Sequence, residues 1–304
     1  MRRVADRVLP DGYIGHFQPF HVCIKGLETA VLCREDDDYD AMVKVMCVSA
    51  RRHSVIIIIY AVVSNHCHAA VLAMSQADAD AYARDIKKVY SMRVSKKYGE
   101  RNILHRIESK AICLDNDWHV RNALAYIPRN ALDNGCSINE YPWSGYRAMF
   151  RGKQALEGGR RVSGLTQRER IAIMHTGDDL RDTPWLIDSS NHLVPASFCD
   201  TAYLEQAFEH DAAFWLKTIG GQNSAELRYQ LEEKPYQMLT DSEFLKDVEE
   251  TCLRWFKQGI SSLSLDQKTR IVPYLYRTRK TSIPQLSRVL GLTRDRVEAM
   301  LKRR

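Results

Sequence analysis

The chain has 304 residues, 45% of them hydrophobic and 27% charged, with a formal net charge of +6. These values fit a soluble globular protein of two ordinary domains and exclude a disordered or fibrous chain. The longest apolar run is about half of what a transmembrane helix needs, so no membrane partner is expected.

The amino terminus, MRRVADRVLPDGY, is charged and has no apolar core of a secretory signal. Eight cysteines are scattered with no CxxC pair, which points to reduced, mostly buried thiols in a cytoplasmic protein. Phe17 to Leu27 reads as a first strand. Asp36-Asp37-Asp38 open a helix that runs to Arg52, because acids suit the positive end of a helix. Two strands follow, at 55–63 and 66–73, and Gln76 to Tyr98 is a long helix. Its outer face carries Lys87, Lys88, Arg93, Lys96 and Lys97, which either track a DNA backbone or form a solvated face. Leu104 to Leu114 reads as a strand and Asp115 to Leu132 as a helix. Strands and helices mix without regular alternation, which predicts an α+β antiparallel sheet with helices on one face.

Residues 151–165 are rich in glycine and arginine and read as a linker between a domain at 1–150 and a mainly helical domain at 166–304. Residues 277–304 hold nine Lys or Arg against two acids, the footprint of a phosphate-backbone binder. Within about 267–304, Thr281 or Ser282 can cap one helix and Thr293 a second, with Gly291 between them. Arg294 and Arg296 project from the start of the second helix. This is either a DNA-binding helix-turn-helix or an ordinary helical hairpin.

The chemistry centres on Asn65-His66-Cys67-His68, directly behind the run VIIIIYAVV. Alternation along a strand puts His66 and His68 on one face and Cys67 on the other. Two imidazoles about 7 Å apart form either a structural pair or part of a metal grip, and a grip needs a third ligand. On the 115–132 helix, Tyr126 and Asn130 are four residues apart and share a face. The Asn130 carboxamide oxygen would complete a site suited to Mg²⁺ or Mn²⁺. Tyr126 would then be placed as a nucleophile toward a bound phosphate, or it is a partly buried core aromatic. His21, on the first strand, is either a core histidine or a neighbour of the metal face.

The order apolar strand, NHxH, long basic helix, YIxxN, then Glu140-Tyr141-Pro142-Trp143-Ser144-Gly145-Tyr146-Arg147 resembles the single-tyrosine HUH transposases. It is most similar to the branch associated with bacterial repetitive palindromes. The resemblance spans about residues 13–150. It implies an HUH endonuclease fold, a ferredoxin-like antiparallel sheet backed by helices. It also implies metal-dependent cleavage and rejoining of single-stranded or hairpin DNA through a 5′-phosphotyrosine and a free 3′-hydroxyl. By that resemblance His66, His68 and Asn130 are the metal ligands and Tyr126 is the nucleophile, with Tyr141 and Tyr146 structural. Insertion-sequence relatives act as dimers and palindrome-associated ones as monomers, which leaves a homodimer open.

The chain departs from the family pattern at Pro128, where a histidine is frequent, and at Ala131, where a proline is. A mid-helix proline removes the bond to the Leu124 carbonyl at a cost of roughly 3 kcal/mol. It is expected to kink the helix or end its regular part near Tyr126. Should Tyr126 not serve, Tyr141 and Tyr146 are the alternative nucleophiles. The competing functions are a DNA-binding regulator on an inactive scaffold and an unrelated metallohydrolase.

Overall fold

The computed structural model describes residues 4–8, 14–27, 31–133, 136–221, 241–278, 281 and 283–302. Five strands form one antiparallel sheet: β1 (Ala5–Val8), β2 (Ile14–Gly26), β3 (Ile56–Val62), β4 (His66–Ala73) and β5 (Ile107–Cys113). β2 pairs with β4 on one side and β5 on the other, and β3 lines the far side of β4. Helix α1 (Asp36–Arg52) joins β2 to β3, and α2 (Gln76–Tyr98) joins β4 to β5. The chain therefore runs β-α-β-β-α-β through a sheet ordered β5–β2–β4–β3.

The two sheet faces differ in kind. Phe20, Val22, Ile24, Cys67, Ala69 and Val71 point into a core closed by α1 and α2. β3 contributes Ile57, then Tyr60 and Val62, to that same core. A register shift between Ile57 and Ile59 inserts one extra residue and resets the alternation. The helices that cover this face begin and end on local signals. Asp36, Asp37 and Asp38 occupy the first turn of α1. Ser75 caps α2 by accepting the Asp78 amide, and Gly99 closes it in the left-handed region at φ 68°.

The opposite face carries α3 (Asp117–Asp133), which packs on β3 and β4. α3 is enclosed on its outer side by α5 (Thr201–Ala207) and α6 (Ala212–Gly221). A helix between two layers must be apolar nearly all round, and Val120, Ala123, Leu124, Ala125, Ile127 and Ala131 are all buried. Helices thus lie on both sheet faces, not on one as the sequence suggested.

Residues 151–165 are not a linker. They run through β6 (Arg160–Arg161), which pairs with β7 (Leu186–Ile187). Val162 and Leu165 enter the same core as α1 and α2, followed by Met174 of α4 (Gln167–Met174), Trp185 and Leu193. The glycines serve geometry here. Gly158 adopts φ 76°, and a Cβ on Gly159 would sit 2.8 Å from Leu186 Cβ. The Asp200 amide bonds the Ile57 carbonyl at 2.8 Å, tying this segment to the edge of β3. The compact unit consequently extends over residues 1–227 instead of ending near 150.

Residues 228–304 form the second unit. Its described helices are α7 (Asp241–Phe256), α8 (Leu265–Thr278), α9 (Ile283–Leu290) and α10 (Arg294–Lys302). Phe244, Val248, Ile271, Leu286, Leu290 and Val297 share one core. Gly291 turns α9 into α10 at φ 62°, and the Leu292 amide bonds the Ser287 carbonyl at 3.0 Å. Thr281 is buried and bonds the Gln285 side chain, while Ser282 lies outside the described residues. No described helix is long and apolar enough to cross a membrane.

Candidate functional site

The turn before β4 is fixed by backbone bonds. The Val63 amide meets the His66 carbonyl at 2.9 Å, and the Gly26 amide meets the Asn65 carbonyl at 2.8 Å. His66 and His68 then project from the face that meets α3, with ring centroids 4.7 Å apart. Cys23 on β2 and Ala61 on β3 stand opposite His68, and both are small enough to leave room for the imidazole. Cys67 points into the other core, where burial pushes its thiol up and keeps it from acting as a ligand.

α3 brings Tyr126 and Asn130 to these rings. The Tyr126 ring stands edge-on to His68 at 5.3 Å between centroids. Asn130 Oδ1 lies 3.0 Å from His66 Nε2. The Asn130 Nδ2 group donates to the Tyr126 and Ile127 carbonyls at 3.2 and 3.0 Å, which turns Oδ1 toward the histidine. His68, Tyr126 and Asn130 are essentially solvent-free, and His66 at the strand end is partly exposed.

Pro128 does not break α3, which stays helical to Asp133. The carbonyl that a residue 128 amide would have bonded belongs to Leu124. The Trp215 indole Nε1–H donates to that oxygen at 3.3 Å from α6. Tyr126 and Asn130 therefore keep the four-residue helical spacing. Sequence reasoning missed Trp215. The usable signal was the proline, which announces a carbonyl in need of a distant donor.

The donor set suits a divalent cation. His66 Nδ1 lies 2.7 Å from Asn65 Oδ1, and the tautomer with its proton on Nδ1 bonds it there and leaves a lone pair on Nε2. In that tautomer Nε2 and Asn130 Oδ1 both present acceptor atoms to one another. Either a second proton on His66 or a cation between them satisfies both. Two imidazole nitrogens and a carboxamide oxygen are donors of the kinds that divalent cations accept.

Other residues singled out by the sequence fall elsewhere. Lys87 and Lys88 lie on α2, across the sheet from the histidines. Arg93 pairs with Asp37 at 2.7 Å, so it ties α2 to the start of α1. Lys97 bridges Glu35, Asp37 and Asp38 and fills the centre of that acidic cluster. Tyr141 donates its hydroxyl to the Val62 carbonyl at 2.5 Å, and burial pushes its pKa up. Tyr146 stacks on Trp215 at 5.1 Å. Arg294 and Arg296 are exposed at the start of α10. His21, wholly buried on β2, places its Nε2 3.0 Å from His68 Nδ1.

No family model matches the chain, and no curated protein matches it. Among solved structures, a REP-associated tyrosine transposase bound to a REP hairpin is similar at 17% identity and a TM-score of 0.34. The overlap covers 41% of this chain and 74% of that one, and a likeness so slight bears no weight for the site.

Proposed function

We propose that the protein is a metal-dependent single-strand DNA nuclease and strand transferase, a transposase of the single-tyrosine HUH kind acting beside a hairpin. The observation that carries this reading is the grouping of the Tyr126 ring beside His68, at 5.3 Å, with the contact between His66 and Asn130. The β-α-β-β-α-β order is compatible with the ferredoxin-like sheet of that fold.

In this mechanism the Tyr126 hydroxyl loses its proton and its oxygen attacks a backbone phosphorus. The Tyr126 O–P bond forms, the bond from phosphorus to the 3′-oxygen breaks, and that oxygen leaves as a 3′-hydroxyl after taking a proton. Rejoining reverses these bonds, so the phosphotyrosine stores the energy and no nucleotide is consumed. His66, His68 and Asn130 would hold the ion, which supplies Lewis-acid polarisation of the phosphoryl oxygens. Asn130 also fixes the turn of α3 that bears the nucleophile. Arg294 and Arg296 would add a second DNA contact through the phosphate backbone.

The test uses hairpin oligonucleotides with a single-stranded flank, labelled at either end, with Mn²⁺. A denaturation-resistant adduct should retain the 3′ label and release the 5′-labelled fragment. Tyr126→Phe should abolish the adduct while binding Mn²⁺ like the native chain. An adduct that persists in Tyr126→Phe sinks the assignment. A second reading, a hairpin-binding regulator on an inactive scaffold, is favoured by one fact: Tyr126 is 0% exposed. It expects hairpin binding that needs neither metal nor Tyr126.

A further inference from the structure

A histidine offers a metal only one nitrogen, and the bond made by the other nitrogen decides which. For His66 the neighbouring group is Asn65 Oδ1, which favours a proton on Nδ1. His68 meets a group of a different kind. Its Nδ1 meets His21 Nε2 at 3.0 Å, with the two rings stacked at 5.0 Å and 23° between planes. Both rings are wholly buried. The register explains why they meet. His21 opposes Ala70, two residues beyond His68 on the same face, so the two histidines are diagonal neighbours across β2 and β4.

We infer that His21 is a positioning residue that holds His68 as the Nδ1–H tautomer, so that Nε2 of His68 faces the same cation as Nε2 of His66. For His68 Nε2 to carry a lone pair, its proton must sit on Nδ1 and be given to His21 Nε2. His21 must then carry its own proton on Nδ1 and act as acceptor. One neutral imidazole thus does for His68 what Asn65 Oδ1 does for His66. His21 stays behind His68 and is not a third histidine ligand. This inference rests on the metal reading of the site but not on DNA cleavage.

The experiment uses the full chain labelled with ¹⁵N-histidine. Long-range ¹H–¹⁵N correlation on the metal-free protein should show His68 protonated at Nδ1. Titration with diamagnetic Zn²⁺ should shift Nε2 of His66 and His68 and leave the His21 nitrogens without a metal-bound signature. By calorimetry, His21→Ala should weaken Mn²⁺ binding about 10–100-fold. His21→Gln, which keeps an acceptor, should recover most of that loss. The spectrum of the native chain decides the matter even if His21→Ala fails to fold. His68 protonated at Nε2, a metal-bound His21, native Mn²⁺ affinity in His21→Ala, or a native chain that binds no Mn²⁺ would each overturn the inference. Loss of the DNA adduct result alone, with these outcomes intact, removes the nuclease reading and leaves His21 in its role.

Discussion

Cys67 and His68 are adjacent in sequence and belong to different compartments of the molecule. Replacing each with alanine should therefore have separable effects. Cys67→Ala removes one buried sulfur from the core under α1 and α2 and should cost about 1 kcal/mol by denaturant melting. Mn²⁺ affinity should not change. His68→Ala should remove measurable Mn²⁺ binding, and with it the thermal stabilisation that the ion gives. A common effect of both variants on the ion would contradict the division of faces. That division was legible in the sequence, because strand alternation is a fixed geometric rule. For His21 the sequence left two readings open, a core histidine or a neighbour of the metal face, because the register of β2 on β4 decides its contact with His68 and no local pattern encodes register between strands separated by a helix.

At the scale of elements, the sequence placed α3 within two residues of its observed start and end. It also expected Pro128 to kink the helix or end its regular part near Tyr126, as local chemistry dictates. The helix does not end there but runs to Asp133, and the Leu124 carbonyl takes a donor from Trp215, 91 residues away. Trp215→Phe keeps a ring against Tyr146 and Phe150 but takes the donor from a buried carbonyl. It should destabilise the protein by about 1–3 kcal/mol. In a Pro128→Ala background the new amide can bond Leu124 itself, so Trp215→Phe should cost much less there. A double-mutant cycle by denaturant unfolding reads this coupling directly. Equal losses in both backgrounds would show that Trp215 acts through packing alone.

For the whole molecule, the boundary of the first unit has a direct consequence. A chain ended at residue 150 loses Val162, Leu165, Met174, Trp185 and Leu193 from the main core and the cover over α3. It should show no cooperative melt, whereas a chain ended at 227 should melt cooperatively and bind Mn²⁺. Composition misled here, because glycine marks a close approach of backbones as readily as a linker. The unit also responds to acid. The Lys97 ammonium beside Asp37, and the Arg52 guanidinium beside Asp178, hold both carboxyls below the ordinary value of 3.8. Each contributes its stability in full above that value and loses it as pH falls through the lower folded value. Melting temperature should therefore drop on acidification below about pH 4, and Asp178→Asn should flatten part of that drop. An unchanged profile in Asp178→Asn would remove the Arg52 pair as a contributor.

The indole on the Leu124 carbonyl also constrains the history open to this sequence. With an amide at residue 128 the Leu124 carbonyl would have its helical donor, and another large aromatic at 215 would leave no oxygen bare. With proline at 128, a residue without a donor at 215 would leave that buried oxygen bare. Substitution in the order tryptophan first, proline second passes through no weakened intermediate, and the reverse order does. Position 215 is thereby tied to a residue it does not adjoin in sequence, and a change at 128 that restores an amide would have to come before loss of the donor at 215.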